Sequence, residues 1–281
     1  MAGMNARREL HRPLRETIFT VFDVETTGLS PAFGHRICEV ACLRVSNGTE
    51  LARFEALVDP GRRISAGAFH VNHITPEMLL GCPTFESIAA PVLVMMENAV
   101  LVAHNAPFDL GFLASELEIC GLPPPEGEIV DTLALVRRLY RFRSNSLPRV
   151  AASMGIEPGP EHRAMGDVWT TWQVLEQILY DVDRQLNLTT LGELIALQGG
   201  PVPYPLPRAV PLPPTIAEAL DRGGRVRMRY VDARGQETDR LVRPLQVRED
   251  RGSLYLIAHC FRAGELRTFR LDRIVEMVVE S

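Results

Sequence analysis

The stretch that most constrains this sequence is TVFDVETTGLS, residues 20–30, where Asp23 and Glu25 interrupt an apolar run. The run is typical of a buried strand, and side chains two residues apart on a strand point to the same face. Unpaired buried carboxylates are costly, so the pair needs a compensating cation. Two adjacent carboxylates suit Mg²⁺ or Mn²⁺ better than zinc. On this segment alone, two exposed strand residues remain the alternative.

The composition is that of a globular protein, with 46% hydrophobic and 23% charged residues in a chain of 281. No apolar run reaches the length of a membrane span, and the first sixteen residues lack the apolar core of a signal peptide. The five cysteines form no CxxC pair, which favours a reduced, cytoplasmic protein with no membrane partner. The net charge of −5 argues against broad, charge-driven coating of nucleic acid.

The order of patterns along the chain predicts two domains. Three strand patterns are followed by alternating helices and short strands, which favours an α/β fold with a mixed sheet flanked by helices. Proline-rich residues 199–215 predict a semi-rigid linker. Five alternating segments after the linker predict a small antiparallel barrel or curled sheet. The predicted boundaries are a tail at 1–16, a first domain at 17–183, a helix and linker at 184–215 and a second domain at 216–281.

Two further segments carry candidate acidic and basic groups. HNAPFDL places Asp109 just inside a helix, and EHRAMGDVWTTW places His162 in a loop and Asp167 in the first turns of the last long helix. Taken singly, the two aspartates are ordinary helix-start acids that the helix dipole favours. A single loop histidine is likewise most often only a polar residue.

Taken together, DxETTG, HNAxFD and HRAxxxD resemble, in order and separation, the three motifs of the DEDDh 3′–5′ exonucleases. That family includes the proofreading epsilon subunit of bacterial DNA polymerase III and ribonuclease T. The resemblance implies a ribonuclease-H-like fold with a mixed five-stranded sheet whose second strand is antiparallel. It also implies removal of 5′-mononucleotides from the 3′ ends of single-stranded or frayed DNA. A DNA polymerase, or another replication or repair protein, is then a candidate partner.

The resemblance also implies roles for individual residues. Two divalent cations, Mg²⁺ or Mn²⁺, would lie about 3.5–4 Å apart. Asp23 would bridge them, Glu25 and Asp167 would complete the ligand set of the first cation, and Asp109 would serve the second cation through water. His162 would be the general base, since a related branch has a tyrosine where this chain has Arg163. The implied substrate-binding residues are Thr26, Thr27, Gly28, Leu29, Asn105 and Phe108, although helix capping by Asn105 and a core position for Phe108 remain alternatives.

The segment after the linker resembles a WYL domain, a small Sm- or SH3-like barrel. The resemblance rests on Tyr230, Gly235, Arg243-Pro244, Leu254-Tyr255-Leu256 and the run from Arg267 to Arg273. It implies binding of nucleic acid or a nucleotide-like ligand that regulates or tethers the first domain. Pairing of the arginines with neighbouring acids on a solvated face is the alternative. The candidate ligand-binding residues are Arg225, Arg227, Arg229, Arg243, Tyr255, Arg267, Arg270 and Arg273.

Three hypotheses about function therefore remain. The first is a DNA exonuclease, and the second is an exonuclease for RNA or short oligonucleotides, since the motifs do not separate DNA from RNA. The third is a sensing regulator that uses the nuclease fold as a binding module. Adjacent carboxylates repel one another without a metal, and their retention argues against this third hypothesis.

Overall fold

The computed structural model describes residues 10–28, 30–159, 163–205, 214–232, 234–250 and 253–280. These residues form two compact units. The first unit takes the described parts of 1–25, 37–59 and 81–207. The second takes the described parts of 26–36, 60–80 and 208–281.

A five-stranded sheet forms the centre of the first unit, with the strand order β3-β2-β1-β4-β5. Strands β2 and β3 pair antiparallel, whereas β1 with β4 and β4 with β5 pair parallel. The sheet is therefore mixed, as the sequence predicts, with β3 and β5 at its edges. The strands are β1 (Ile18–Thr26), β2 (Ile37–Ser46), β3 (Thr49–Leu57), β4 (Val100–Ala103) and β5 (Ile129–Asp131).

Eight α-helices lie within the described residues, and none of them is long and apolar enough to cross a membrane. A capping box starts α7: the Thr190 hydroxyl accepts a hydrogen bond from the Glu193 amide, and the Glu193 carboxylate accepts one from the Thr190 amide. The helices are α1 (Ala66–Asn72), α2 (Phe85–Met96), α3 (Ala106–Ile119), α4 (Thr132–Leu139), α5 (Leu147–Ser153), α6 (Ala164–Leu186), α7 (Leu191–Gln198) and α8 (Pro214–Arg222).

The alternation of side chains along β1 decides what each face of that strand contacts. Phe19 and Val21 belong to a buried cluster that includes Val168 and Trp172 of α6. Phe22 and Val24, on the other face, join the cluster formed with residues of α2 and α3. Because residues two apart share a face, Asp23 and Glu25 continue the face that α6 covers. The apolar half of β1 thus brings its acidic end to the start of α6.

The C-terminal part folds into a second five-stranded sheet with the order β10-β6-β7-β8-β9, and every adjacent pair is antiparallel. One face packs on α8 through a buried cluster that includes Ile216, Val226 and Leu256. The antiparallel sheet is confirmed, whereas none of the described strand pairs joins β9 to β10, so closure into a barrel stays a prediction. The strands are β6 (Arg225–Val231), β7 (Glu237–Asp250), β8 (Ser253–Cys260), β9 (Glu265–Arg270) and β10 (Ile274–Glu280).

The predicted linker is partly outside the described residues. Residues 201–205 have no regular structure, and 206–213 are not described. Helix α8 begins at Pro214, inside the range predicted as linker. The domain boundaries stay predictions.

One glutamine side chain completes the hydrogen bonding of edge strand β5. The Oε1 atom of Gln198, the last residue of α7, accepts a hydrogen bond from the amide of Asp131 at 2.9 Å. Its Nε2 atom donates to the carbonyl of Ile129 at 2.8 Å. The side chain is buried, and it makes the backbone hydrogen bonds that a sixth strand would otherwise make with β5. Leaving two buried backbone groups unpaired costs about 1–3 kcal/mol each.

We expect Gln198→Ala to lower the free energy of unfolding by about 2–4 kcal/mol, because it leaves the β5 backbone groups buried and unpaired. Urea unfolding followed by circular dichroism measures the change. Gln173→Ala is the matched control, since the Oε1 atom of Gln173 is buried without a hydrogen-bond partner among the described residues. The control should change stability by less than about 1 kcal/mol. Equal losses for both variants would contradict the bridging role of Gln198.

Candidate metal and active site

Three carboxylates meet where the end of β1 faces the first turn of α6. Asp23 and Glu25 lie on the α6-facing side of β1, and Asp167 is the fourth residue of α6. One ligand oxygen from each of the three lies within 4.8 Å of the other two. The structure therefore brings together three of the four acids that the sequence motifs single out.

The fourth acid, Asp109, approaches β1 from α3. Its side chain is buried, and its Oδ1 atom accepts a hydrogen bond from the amide of Val24 at 3.2 Å. Val24 lies between Asp23 and Glu25, so the carboxylate is fixed beside the acidic end of the strand. Asp109 is not part of the group within 4.8 Å, and its predicted role, service to a second cation through water, stays a prediction.

Burial and mutual repulsion make this arrangement unfavourable for charged carboxylates. Burial raises the pKa of Asp23 well above its ordinary value, and the charges of Asp109, Asp167, Glu25 and Glu39 raise it further. Burial also raises the pKa of Asp109, although the hydrogen bond from the Val24 amide opposes the shift. A divalent cation would remove both penalties, and oxygen-only donors match Mg²⁺ or Mn²⁺. The residues present therefore fit such a cation.

Two of the predicted site residues, Leu29 and His162, lie outside the described residues. Their predicted roles, substrate contact and general base, stay predictions.

An ion pair between the buried Glu39 and the partly exposed Arg163, which sequence reasoning missed, stabilises this point of the chain. Glu39 of β2 is fully buried, and its carboxylate accepts hydrogen bonds from Arg163, with Nη2 at 2.6 Å from Oε1. The same carboxylate accepts a hydrogen bond from the amide of Ala164, the first residue of α6, at 3.1 Å. Glu39 thus fixes the residue after His162 and the helix that carries Asp167. The signal available in the sequence was a glutamate within the apolar run ICEVACLRV.

The turn after β1 is held by a histidine that was also missed. The Thr27 hydroxyl lies 3.1 Å from Nδ1 of His35 and accepts a hydrogen bond from the amide of Arg36 at 3.0 Å. A Cβ atom on Gly28 would lie 2.3 Å from the ring of His35, so any larger residue there would displace that ring. Burial lowers the pKa of His35 to about 4, which keeps the ring neutral. Thr26, the last residue of β1, donates from Oγ1 to the carbonyl of Gly28 at 2.6 Å.

The other two predicted substrate-binding residues lie at the start of α3. Asn105 is exposed and has a left-handed φ of 74°, and its side chain makes no capping hydrogen bond. The backbone amide of Asn105 donates a hydrogen bond to Oδ1 of Asp131 at 3.0 Å. Phe108 is half-buried, and its ring centroid is 5.1 Å from that of Phe112. Helix capping by the Asn105 side chain is not observed, whereas Phe108 lies between core and surface.

Comparison with known proteins identifies both parts of the chain. Residues 20–175, more than half of the chain, match the RNase T family model, described as exonuclease. The chain belongs to this exonuclease family. Residues 212–279 match the WYL domain model. Both resemblances predicted from the sequence motifs are therefore confirmed.

Curated relatives of this exonuclease include much longer proteins. DNA polymerase III PolC-type from Halalkalibacterium halodurans is 37% identical over 181 residues, which are 64% of this chain and 13% of the relative. The protein of the same name from Listeria monocytogenes is 34% identical over 184 residues, 65% of this chain and 13% of the relative. The chain thus spans about an eighth of the length of these relatives.

Solved structures share the fold at low identity. Escherichia coli exonuclease I in complex with a dT13 oligonucleotide has a TM-score of 0.55 and 18% identity, covering 86% of this chain and 55% of that one. A 3′-exonuclease described by its 3′-end-specific recognition of a histone mRNA stem-loop has a TM-score of 0.52 and 14% identity, covering 60% and 67%. The exonuclease fold, predicted as ribonuclease-H-like, is thereby confirmed for the first unit.

In the WYL part, most of the candidate arginines are engaged by acids. Arg227 pairs with Glu280, Arg229 with Glu276, Arg267 with Glu265 and Arg270 with Asp272. Arg225 and Arg243 form no ion pair among the described residues and instead lie over the ring of Phe261. The guanidinium carbon of Arg248 lies 5.9 Å from the ring centroid of Tyr255. No ion pair of Arg273 is found in the described part of the chain.

We expect Glu39→Ala to lower the free energy of unfolding by about 2–4 kcal/mol and also to lower exonuclease activity, because Arg163 and the Ala164 amide lose a buried partner. Chemical unfolding and an initial-rate assay on the same preparations measure the two effects. The matched control is Glu50→Gln, which breaks an exposed pair with Arg53 at 2.7 Å. That control should stay within about 1 kcal/mol of wild type. A Glu39→Ala protein as stable as this control would contradict the role of Glu39 in holding Arg163 and the start of α6.

Without metal, we expect Asp23→Asn to raise the free energy of unfolding at pH 7 by about 1–3 kcal/mol. Because the folded pKa of Asp23 is raised, the folded state binds protons more tightly than the unfolded state. The free energy of unfolding therefore falls as the pH rises from the ordinary aspartate pKa through the raised pKa of Asp23 in the folded protein. The asparagine side chain of the variant does not ionise, so the variant avoids this loss. Thermal unfolding in EDTA measures the gain, with exposed Asp239→Asn as the control. A less stable Asp23→Asn protein in EDTA would show that repulsion is not the dominant effect.

Proposed function

We propose that this protein is a metal-dependent exodeoxyribonuclease that removes 5′-mononucleotides from the 3′ ends of single-stranded or frayed DNA. The observation that carries the proposal is the convergence of Asp23, Glu25 and Asp167 within 4.8 Å, with Asp109 fixed against the same strand. Membership of the exonuclease family supports the reaction class. Carboxylates this close together repel one another, and a bound cation would remove that repulsion, so their convergence favours a metal-dependent function.

The carboxylates of Asp23, Glu25 and Asp167, which lie close together, would hold a cation, and Asp109 would contribute to a second one. Bound Mg²⁺ or Mn²⁺ would supply Lewis acidity toward the attacking water and charge stabilisation for the departing 3′-oxygen. The hydrogen bond from Val24 to Asp109 keeps that carboxylate oriented before any cation arrives.

His162 would accept the proton of the water that attacks the terminal phosphodiester. The bond between phosphorus and the 3′-oxygen of the remaining strand then breaks, and a 5′-mononucleotide leaves. The Glu39–Arg163 pair would orient the loop that carries His162, because Arg163 is its neighbour. The glycine turn at Thr26, Thr27, Gly28 and Leu29 would line the terminal nucleotide.

At the start of α3, exposed Asn105 would contact the same nucleotide. Half-buried Phe108 would offer a ring for base stacking, which tolerates any base.

The WYL domain and the relatives of the chain suggest how the exonuclease domain is used. We infer that the WYL domain, folded as a small barrel-like module in residues 216–281, binds nucleic acid or a nucleotide-like ligand and regulates or tethers the exonuclease domain. A role beside a DNA polymerase is supported by relatives named DNA polymerase III PolC-type. A repair protein as partner and a location in the cytoplasm are further parts of the proposal. Proofreading is one such role, and stand-alone repair of 3′ ends is the other.

The direct test is digestion of a 5′-labelled single strand, as DNA and as RNA of the same sequence, with Mg²⁺, Mn²⁺ or EDTA. We expect a ladder that shortens from the 3′ end of DNA with either cation, no cleavage in EDTA, and none with Asp23→Ala. His162→Ala should lower the rate by about 10²–10⁴-fold. Immediate release of labelled mononucleotide would indicate attack from the 5′ end and overturn the polarity.

Two controls sharpen this assay. His11→Ala removes an exposed histidine and should leave the rate unchanged, which separates His162 from a general effect of histidine loss. A strand with a blocked 3′ end should resist digestion. Faster cleavage of RNA than of DNA would show that RNA is the preferred substrate and would leave the proposed mechanism unchanged. A ladder that still forms in EDTA would refute the metal dependence.

A further inference from the structure

The outer face of the C-terminal sheet carries two arginines, Arg225 and Arg243, that form no ion pair with any acid in the described part of the chain. Val226 of β6 pairs with Val242 of β7, so Arg225 and Arg243 lie opposite each other across these strands. Both side chains are exposed. Val226 and Val242 point into the core, which places both arginines on the opposite, solvent-facing side because side chains alternate along each strand.

Both cations converge on one aromatic ring. The guanidinium carbon of Arg225 lies 4.9 Å from the ring centroid of Phe261, and that of Arg243 lies 5.8 Å from it. Phe261 follows β8 and is 37% exposed, unlike the buried phenylalanine of this sheet, Phe269. Two like charges beside one ring repel each other, and each gains only a modest cation–π attraction at an exposed site.

A histidine completes the group. His259 of β8 pairs directly with Arg243 of β7, and directly opposed residues of an antiparallel pair share a face. Its ring centroid is 5.1 Å from that of Phe261, at an interplanar angle of 83°. Two guanidinium forks, an imidazole and a partly exposed aromatic ring therefore lie together; we call these four residues the arginine–aromatic site.

The neighbouring arginines show that this lack of acids is local. Glu280 is the residue opposite Arg225 in the register, but its carboxylate accepts a hydrogen bond from Nε of Arg227 at 2.6 Å. Arg229, on the same face of β6, pairs with Glu276 at 3.2 Å. The sheet thus neutralises two arginines of β6 and leaves Arg225 without an ion pair among the described residues.

We propose that the arginine–aromatic site binds a nucleoside phosphate, with the phosphate between the Arg225 and Arg243 guanidinium groups and the base against Phe261 and His259. Guanidinium forks match phosphate oxygens in a bidentate manner, and an aromatic ring stacks on any base. The same chemistry is offered by one unit of a single strand and by a free mononucleotide. The inference rests on the proposed binding role of the WYL domain and is independent of the nuclease reaction.

Photo-crosslinking of the full-length chain in EDTA tests the site without allowing digestion. The probes are an oligothymidylate carrying one 5-bromouracil, the mononucleotide 5-bromodeoxyuridine 5′-phosphate, and the nucleoside 5-bromodeoxyuridine, which lacks the phosphate. Since the chain has no lysine, trypsin releases residues 252–262 as one peptide. Fragmentation then separates crosslinks at His259 or Phe261 from those at Tyr255.

We expect a saturable crosslink at His259 or Phe261 with a phosphate-bearing probe and none with the nucleoside. A crosslink with the oligonucleotide alone identifies a strand as ligand, and one with both probes identifies a nucleotide unit; either supports the site. Absence of a crosslink at both residues with both phosphate-bearing probes would overturn the proposal. Because metal is absent, this result is independent of whether the protein digests DNA.

Substitution of the arginines gives the second readout. Arg225→Gln and Arg243→Gln should each raise the probe concentration for half-maximal crosslinking by about tenfold, because each removes a charged fork to phosphate. For the oligonucleotide, each should also reduce the salt dependence by about one unit. Arg222→Gln removes the same charge from α8 of the same domain, where Arg222 is exposed and pairs with Glu218 at 2.8 Å, and it should change the midpoint by less than about twofold. Equal effects of all three variants would indicate nonspecific attraction and refute the site.

Discussion

Repulsion among the carboxylates gathered at the end of β1 is the constraint on which the exonuclease unit depends. The apolar half of the strand, through Phe19 and Val21, packs against α6, and this packing leaves Asp23 and Glu25 no other direction in which to point. Hydrophobic burial thereby supplies the free energy that holds like charges together. The core thus brings the carboxylates together, and a bound cation would neutralise their charges.

The acidic residues were predictable because their signal is local and chemical. A carboxylate pair inside a strand pattern is improbable unless something compensates it, and three motifs in order place the other acids at helix starts. The supporting contacts were less accessible. Glu39 and Arg163 are separated by 124 positions, and no periodicity in either segment indicates that one buried glutamate holds both an arginine and a helix amide.

The sequence also did not predict one unusual backbone conformation or the ion pairing of the C-terminal arginines. His73 has a left-handed φ of 54° at the end of α1, a backbone conformation that favours glycine, so the identity of this residue gave no signal of the turn. Alternation correctly placed Arg225, Arg227 and Arg229 on one face of β6. It did not predict which of them meet acids, because that depends on the register of β10, a strand about fifty residues away.

The hydrogen bonds of Gln198 have a consequence for how the first sheet meets other chains. An open edge recruits strands from neighbouring molecules, and proteins protect themselves by blocking or charging such edges. At β5 the glutamine amide already occupies backbone groups at which an incoming strand would dock. At the opposite edge, β3 is lined with Glu50, Arg53 and Glu55. Self-association by strand addition is therefore disfavoured at both ends of the sheet, by an amide at one and by charge at the other.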